Sequence, residues 1–278
     1  MKVTILLPVY NGEKYIKECL YSIMQQTFSD FEVLIIDDGS TDKTSSIIET
    51  VNDDRIKMVR RTHGFIDSLN YGLSEARGEY IARMDADDIM MPNRIETQVK
   101  LLDDKPEITV CSSWIKLNGK GLDGRSIRKG YEKLHAPYVS LLENNFICHP
   151  ATMIRKSFLE KHHLRYKNYI HAEDYKFWCD IALAGGEFWI IPEELLEYRI
   201  SDGQVSSKYN YEQTKTALRI KEEILLKLLN DEHFPCHEEI QAIYFEIEKI
   251  NKKKMLTEMT IMHIFSALLR EINALKEV

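Results

Sequence analysis

Short apolar runs alternate with amphipathic helical patterns through the first hundred residues, and this alternation constrains the fold more than any other feature. Residues 3–9 are largely apolar, and residues 14–25 then place apolar side chains on one stripe of a helix. Such alternation is typical of βαβ units, whose parallel strands are buried between helices. The chain is therefore predicted to be an α/β protein with a mostly parallel, Rossmann-like sheet flanked by helices. The remaining elements predicted in this part are strands at residues 31–36, 56–59 and 79–84 and helices at residues 41–51, 65–76 and 92–102.

The pattern is less regular after residue 108. Residues 118–130 contain several glycines and form either a mobile segment over a site or a turn. From residue 208 the pattern is helical almost to the end, and apolar positions from Ile261 to Leu275 mark an amphipathic C-terminal helix. The elements predicted between these two regions are strands at residues 108–117, 151–154, 187–191 and 195–200 and a helix at residues 174–184.

Charge and cysteine usage exclude several classes of protein. The formal net charge is −7, and nucleic-acid binding needs a clustered positive surface, so no nucleic-acid partner is expected. The five cysteines are scattered without a Cys-x-x-Cys pair, which disfavours a disulfide framework and a zinc site. No run reaches the roughly 18 apolar residues of a membrane span. These features predict a cytoplasmic protein, with a peripheral position at the inner face of the cytoplasmic membrane as an alternative.

Polar side chains follow three of the predicted strands at the points where the strands end. They are Tyr10-Asn11, Asp37-Asp38 and Asp85-Ala86-Asp87-Asp88. In open α/β sheets, ligands bind beyond the carboxyl ends of the strands. Asp37-Asp38 has two interpretations, because with Gly39-Ser40 it also has the composition of a plain turn.

Asp85 and Asp87 are the predicted ligands of a divalent cation. No Gly-x-Gly-x-x-Gly or Walker motif is present, so backbone amides are not expected to cradle a phosphate. Carboxylates in their place would repel a diphosphate unless a cation bridged the two, and Mg²⁺ and Mn²⁺ prefer such oxygen ligands. The alternative is that Asp88 caps the helix that follows Pro92 and that the other two carboxylates are solvated.

Glu173 and Asp174 form a second acidic pair at the start of a predicted helix. Acidic residues there complement the helix dipole, so one interpretation is structural. The other is catalytic, because a hydroxyl that attacks a substrate must lose its proton to a base, and a carboxylate serves this purpose.

A series of segments, taken in order, resembles the family 2 glycosyltransferases of the bacterial polysaccharide type, which have the GT-A fold. The segments are LPVYNGE (residues 7–13), IDDGSTD (36–42), LNYGL (69–73), GEYIARMDADD (78–88), PNR (92–94), HP (149–150) and AEDY (172–175). The resemblance covers about the first 200 residues. It implies a catalytic domain at residues 1–207, with a nucleotide-binding half at 1–110 and an acceptor and base half at 111–207. A helical extension at residues 208–278 follows.

The resemblance also implies roles for single residues. Asp85 and Asp87 would hold Mn²⁺ or Mg²⁺ against the donor diphosphate. Asp174 would be the general base of a single inverting displacement, with Glu173 as the competing candidate. The implied reaction transfers a hexose from a UDP-sugar to a saccharide or lipid-linked saccharide, in the synthesis of cell-surface polysaccharide or glycolipid. The residues implied to bind the nucleotide sugar are Pro8, Val9, Tyr10, Glu13, Asp38, Asn70 and Asp85, with Asp38 bonding the base.

The sequence departs from the family pattern at one place. Many members carry His shortly after a Tyr-Arg pair, where it joins the metal site, but here Ser201 follows Tyr198-Arg199-Ile200. Lower metal affinity and a water in place of the His are the two interpretations, and residues 201–207 are expected to order over the donor. A non-catalytic carbohydrate- or nucleotide-binding protein on the same fold is the alternative function. A sugar-nucleotide pyrophosphorylase is disfavoured, because residues 11–13 supply no Gly-rich basic loop.

The amphipathic helix from about Thr257 has two interpretations of its own. Three lysines at residues 252–254 precede its apolar stripe. The helix docks on a second subunit or a membrane face, or it packs against its own catalytic domain.

Overall fold

A computed structural model of the chain describes residues 1–119, 121–122, 124–128, 132–134, 136–200, 210–230 and 237–251, and residues 257, 260, 261, 263–265, 267 and 268. Strands in these residues form one sheet. They are β1 (Val3–Val9), β2 (Phe31–Asp37), β3 (Ile56–Arg60), β4 (Tyr80–Arg83), β5 (Ile89–Met90), β6 (Ile108–Asn118), β7 (Ser126–Ile127), β8 (Glu132–Lys133), β9 (Met153–Arg155) and β10 (Glu187–Arg199). The helices are α1 (Ile16–Met24), α2 (Thr44–Glu49), α3 (Phe65–Glu75), α4 (Arg94–Asp104), α5 (Pro137–Glu143), α6 (Lys156–Lys161), α7 (Glu173–Leu183), α8 (Asn210–Leu229) and α9 (His237–Asn251), with a 3₁₀ helix at His149–Ala151.

The strand order of the sheet is β3-β2-β1-β4-β9-β6-β10-β5, with β7 paired to β6 and β8 paired to β10. β1 is parallel to both β2 and β4, and β2 is parallel to β3. β9 runs antiparallel between β4 and β6, whereas β6 and β10 are parallel. The predicted α/β class with a mostly parallel sheet is confirmed. Because β1 lies between β2 and β4, the carboxyl ends of these three strands meet at one edge.

The burial of β1 explains why an apolar run marks the centre of this fold. Every residue of β1 is buried, because helices cover both faces of a parallel sheet. Ile5 and Leu7 pack in the cluster that includes α1, whereas Leu6 packs in the cluster that includes α3. Helix α3 packs closely against β1, since a Cβ on Gly72 would lie 2.2 Å from Leu6 Cδ1. At β1, both faces of the sheet are therefore core.

The elements predicted in the first hundred residues are confirmed, with small shifts at their ends. The sequence does not predict β5, β7 and β8, because a strand of two residues is too short to show a period. The two strands predicted at residues 187–191 and 195–200 are one strand, β10. Its pairing with β6 shifts register between Ile191 and Glu194, and such an irregularity interrupts the alternation of the side chains.

The helices after residue 209 pack on the α/β unit through apolar side chains. Ile224 of α8 is buried in the cluster that contains Trp178 of α7. Ile261 and Phe265 are buried in the same cluster. These contacts support the interpretation that the segment from Thr257 packs on its own chain.

Two predictions concern residues outside the described part of the chain. One is the ordering of residues 201–207 over bound donor, and the other is the basic run at residues 252–254. Among the helices that are described, none is long and apolar enough to cross a bilayer.

Candidate active site

The turns that follow β1 and β2 bind each other at the edge of the sheet. The Asn11 N–H donates to Ser40 Oγ (3.0 Å), and the Thr41 N–H donates to Asn11 Oδ1 (2.8 Å). Asp37 accepts hydrogen bonds from the Ser40 N–H (2.8 Å) and the Ser45 hydroxyl (2.5 Å). Burial raises the pKa of Asp37, but these hydrogen bonds outweigh burial and hold the pKa below its usual value. Asp37 is therefore a structural residue of the turn.

Asp38, Tyr10 and His63 form one corner of the site. Asp38 Oδ1 accepts hydrogen bonds from the Gly64 N–H (2.8 Å) and the Ser68 hydroxyl (2.5 Å), and Asp38 Oδ2 lies 2.8 Å from His63 Nδ1. The His63 and Tyr10 rings lie with centroids 4.3 Å apart. Tyr10 is 49% exposed, so the corner presents an aromatic surface beside a buried carboxylate. The sequence predicts Tyr10 and Asp38 but not His63, which lies in a loop without a recognisable motif.

Other residues predicted for the nucleotide sugar have different surroundings. Pro8 and Val9 are buried in β1, and the Val9 side chain packs in the core cluster with α1. Glu13 is exposed and accepts a hydrogen bond from the main-chain N–H that precedes α2 (2.9 Å). Asn70 directs its side-chain amide to the main chain of Tyr166. Their roles toward a nucleotide stay predictions.

Asp85, Asp87 and Asp88 form an acidic cluster, in which one ligand oxygen of each lies within 4.8 Å of the others. Asp88 accepts the main-chain N–H of Arg199 through Oδ1 (2.8 Å). Asp88 Oδ2 is buried without a hydrogen-bond partner among the described residues. The alternative that Asp88 caps the next helix is wrong, because α4 begins at Arg94 and Asp88 is bound to β10 instead.

Electrostatics of the acidic cluster favour a bound cation. Burial, followed by the charge of Asp85, raises the pKa of Asp87 to about 6. Burial and the charges of both neighbours raise the pKa of Asp88 well above its usual value. A cation relieves this repulsion, and the available donors are carboxylate oxygens, which suit Mg²⁺ and Mn²⁺. The residues present therefore fit a divalent cation of this kind.

Two arginines hold the acidic cluster in place. Arg83 is buried and forms an ion pair with Asp85. Arg199 donates through Nε to the Asp87 carbonyl (2.7 Å) and through Nη2 to the Glu18 carboxylate (2.6 Å). Arg199 is the arginine of the Tyr-Arg pair noted above, so this pair lies against the cluster although no His follows it. The sequence alone does not indicate these contacts, since they join distant parts of the chain.

Glu173 and Asp174 begin α7, as predicted. Asp174 accepts a hydrogen bond from the Tyr175 N–H (2.6 Å), and its other oxygen lies 3.5 Å from the Asn145 amide nitrogen. Burial raises the pKa of Asp174, and burial with the charge of Asp174 raises the pKa of Glu173 to about 7. A carboxylate with a raised pKa is a stronger base, as proton abstraction requires.

Arg83 lies within electrostatic reach of both acidic groups. Burial dominates the pKa values of Asp87 and Asp174, and the charge of Arg83 opposes its effect in both. Tyr166 and His149 form a buried wall near the same place, with the Tyr166 hydroxyl 2.8 Å from His149 Nε2. Arg83 therefore links the acidic cluster electrostatically to the start of α7.

A cavity of about 170 Å³ adjoins this site at Asn145. Its walls are mainly apolar and include Ile115, Ile127, Phe146 and Ile147. Asn145 lines the cavity, and its amide nitrogen lies 3.5 Å from an Asp174 carboxylate oxygen. Ile127 of β7, which lies within the glycine-containing residues 118–130, supplies one wall of the cavity.

Comparison with known proteins places the chain among glycosyltransferase sequences. The family described as Glycosyl transferase family 2 matches residues 4–162. An uncharacterized glycosyltransferase of Haemophilus influenzae is 37% identical over 246 residues, which cover 82% of this chain and 74% of that protein. An uncharacterized glycosyltransferase of Methanocaldococcus jannaschii is 34% identical over 208 residues, which cover 71% of this chain and 70% of that protein.

Solved structures share the fold. TarS 1-349 of S. aureus in complex with UDP-GlcNAc superposes with a TM-score of 0.71 at 22% identity, covering 88% of this chain and 72% of that one. The mannosyltransferase PcManGT of Pyrobaculum calidifontis in complex with GDP-Man and Mn²⁺ superposes with a TM-score of 0.58 at 18% identity, covering 96% and 86%. The predicted GT-A fold is confirmed by this likeness.

Proposed function

The chain belongs to glycosyltransferase family 2, and on that premise we propose that it transfers a hexose from a UDP-sugar to an acceptor hydroxyl with inversion at the anomeric carbon. One observation carries the proposal. A cluster of three carboxylates lies at the edge of the sheet, and one of its buried oxygens has no hydrogen-bond partner among the described residues. Arg83 is within electrostatic reach of both that cluster and a buried carboxylate at the start of α7. The first group suits a donor diphosphate and its metal, and the second suits a base.

Asp85 and Asp87 are our proposed ligands for Mn²⁺ or Mg²⁺. Bound there, the cation would neutralise the donor diphosphate and stabilise the departing nucleoside diphosphate. Two observations support this assignment, namely the all-oxygen donor set and the raised pKa of Asp87. Arg83 would hold the Asp85 side chain in place, and Arg199 would hold the Asp87 main chain.

Asp174 is our proposed general base. It takes the proton of the acceptor hydroxyl while the acceptor oxygen bonds to the anomeric carbon and the bond from that carbon to the diphosphate oxygen breaks. This single displacement inverts the anomeric centre. The rigidity of α7 supports the assignment, because Phe177 and Trp178 are fully buried and fix the helix to the core.

The corner formed by Tyr10, His63 and Asp38 is our proposed nucleobase site. The exposed face of Tyr10 supplies a surface for stacking, and Asp38 supplies a buried hydrogen-bond acceptor. We choose uridine because the neighbour with the TM-score of 0.71 is a complex with UDP-GlcNAc. Pro8, Val9 and Glu13 would border this corner through the first turn of the sheet.

The acceptor side lies in the second half of a catalytic unit that we place at residues 1–207. Residues 1–110 would bind the donor, residues 111–207 would supply the base and the acceptor site, and residues 208–278 would form the helical extension. The apolar cavity beside Asn145 supports a saccharide or lipid-linked saccharide as acceptor, since the apolar face of a sugar or an attached chain fits such walls. Synthesis of cell-surface polysaccharide or glycolipid is the process that uses acceptors of this kind.

The test is a panel of nucleotide sugars, screened first by thermal shift with Mn²⁺ and with EDTA. A donor at about 100 times its Kd stabilises the protein by about 2.7 kcal/mol. We expect one UDP-sugar to raise the Tm of the protein only when metal is present. With that donor and metal, the protein should also release UDP slowly by hydrolysis. Asp87→Asn should lose both effects, whereas Asp104→Asn, an exposed carboxylate on α4, should keep them.

Two outcomes contradict the proposal. Equal donor affinity with metal and with EDTA would reject the metal site. Metal-dependent binding without any release or transfer, across donors and acceptors, would favour the non-catalytic alternative.

A further inference from the structure

Asn70 on α3 joins two distant parts of the chain through both ends of its side-chain amide. Asn70 Nδ2 donates to the Tyr166 carbonyl (2.9 Å), and Asn70 Oδ1 accepts the Tyr166 main-chain N–H (2.9 Å). The partner residue lies 96 positions later in the sequence. A two-point contact fixes orientation as well as distance, because a turned amide would lose both bonds.

Tyr166 is part of the buried wall that it forms with His149. Its ring stacks on Phe177 with centroids 4.1 Å apart, and its hydroxyl lies 2.8 Å from His149 Nε2. The residue is only 3% exposed. Burial raises the pKa of the Tyr166 hydroxyl, and the charges of Asp174 and Asp85 add to this effect. The hydroxyl is therefore within electrostatic reach of both acidic groups.

The same helix also holds the nucleobase corner. Ser68, two residues before Asn70, donates its hydroxyl to Asp38 (2.5 Å). One turn of α3 thus contacts the nucleobase corner at one residue and the wall at another. Because a helix is rigid over one turn, these contacts set the distance between the two parts of the site.

We propose that Asn70 is a positioning residue for sugar transfer, which fixes the Tyr166 main chain and thereby the wall beside Asp174, and that it does not hold the donor nucleotide. This inference rests on the proposed function of the site and replaces the donor-binding role that the family resemblance implies for Asn70. Its amide is held against the Tyr166 main chain, so a nucleotide contact that turned the amide would break both hydrogen bonds. Loss of Asn70 therefore impairs the transfer step and leaves the nucleobase corner intact.

The experiment compares Asn70→Asp and Asn70→Ala with Leu73→Ala. Asp preserves the shape of Asn, but a carboxylate cannot donate to the Tyr166 carbonyl. Leu73 is buried on the same helix and has no polar group, so its variant controls for loss of stability. The measurements are Tm, the Kd of UDP with Mn²⁺ by calorimetry, and kcat and KM for the donor found in the screen.

We expect both Asn70 variants to lose about tenfold or more in kcat, with donor KM and the Kd of UDP within about twofold of wild type. Leu73→Ala should lower the Tm at least as much and keep kcat within about twofold. A weaker UDP affinity with unchanged kcat would overturn the proposal in favour of donor binding. If Leu73→Ala lost as much kcat as the Asn70 variants for the same decrease in Tm, the proposal would be overturned in favour of a purely structural role for Asn70.

Hydrogen exchange of the metal-free protein supplies a readout that needs no activity. The Tyr166 amide should exchange about tenfold faster or more in Asn70→Ala than in wild type, while amides of α7 keep their rates. Unchanged exchange at Tyr166 would show that the contact does not restrain the main chain. If wild type releases no UDP from any donor, the proposed function fails and the transfer role fails with it. The exchange rate then still reports whether the restraint exists.

Discussion

At the residue scale, Glu173 and Asp174 are adjacent carboxylates on a helix and point about 100° apart, so only one of them faces the acceptor. We expect Asp174→Asn to lower the rate of transfer by about 10² to 10⁴, because the amide keeps the shape and loses the basicity. The Kd of UDP with Mn²⁺ should stay unchanged. Steady-state kinetics and calorimetry provide these values.

Glu173→Gln is the matched control for that assignment and should retain transfer. Parental activity in Asp174→Asn together with loss of activity in Glu173→Gln would exchange the two roles. Retention of the donor's anomeric configuration in the product would reject single displacement altogether.

Glu173 also makes stability depend on pH. Burial and the charge of Asp174 raise its pKa from an ordinary 4.5 to about 7, so the folded protein binds this proton more tightly than the unfolded chain. Its contribution is full below about pH 4.5 and is lost as the pH rises through about 7. In EDTA, we expect wild type to lose at most roughly 3 kcal/mol relative to Glu173→Gln between about pH 5 and pH 8. Denaturant unfolding at each pH measures this difference. If the free energies of unfolding of the two proteins changed equally with pH across this range, the raised pKa of Glu173 would be contradicted.

Sequence reasoning found the residues that share a strand end and missed those that reach the site from elsewhere. Asp85 and Asp87 are recognisable because three carboxylates follow one buried strand. His63 contacts the Asp38 main chain from 25 positions away, and the Arg199 N–H reaches Asp88 from 111 positions away. Such contacts depend on the packing of the whole sheet, so no local pattern indicates them.

At the element scale, Gly78 controls how closely β4 lies beside β1. A Cβ on Gly78 would lie 2.4 Å from the Thr4 nitrogen and 2.5 Å from the Val3 carbonyl carbon. Backbone atoms of a central strand cannot move aside, so we expect Gly78→Ala to lower the free energy of unfolding by about 1 to 3 kcal/mol or more. Denaturant unfolding measures this value.

Ser74→Ala serves as the control, because Ser74 is exposed on α3 and its change should stay within about 0.5 kcal/mol. A similar, small effect of both substitutions would show that β4 tolerates a displacement. The proposed metal site depends on this register, since Asp85 lies two residues after the end of β4.

The sequence predicts best those elements whose residues have the same burial along the whole element. β1 and β2 are buried along their whole length and appear as apolar runs. β10 is not predicted as one strand, because its register shifts interrupt the alternation of buried and exposed side chains. The pairing of β5 with β10 depends on contacts between residues far apart in the chain. The periodicity of a local segment gives no information about such contacts.

At the scale of the whole molecule, the described residues of the C-terminal helices share a core with the α/β unit. Phe265 is 0% exposed and packs near Tyr244 of α9, whereas its neighbour Ile264 is 40% exposed. We expect Phe265→Ala to cost about 3 to 5 kcal/mol of stability and Ile264→Ala less than about 1 kcal/mol. Unfolding curves of the two variants give the comparison.

Equal, small costs at both positions would contradict packing on the same chain. They would favour the interpretation in which this segment docks on a second subunit or a membrane face. Size determination by light scattering and sedimentation with liposomes would then separate those two partners.

The bond from the Arg199 N–H to Asp88 ties the acidic cluster to the last residue of β10. After burial, the charges of Asp85 and Asp87 are what raise the pKa of Asp88. A cation bound by these two neighbours would keep Asp88 ionised and strengthen its hold on β10. Such coupling is reciprocal. If the bound cation stabilises the contact between Asp88 and β10, that contact raises the affinity for the cation by the same free energy. Binding of a cation at the cluster and the anchoring of β10 would therefore be linked equilibria, in which each strengthens the other by the same factor.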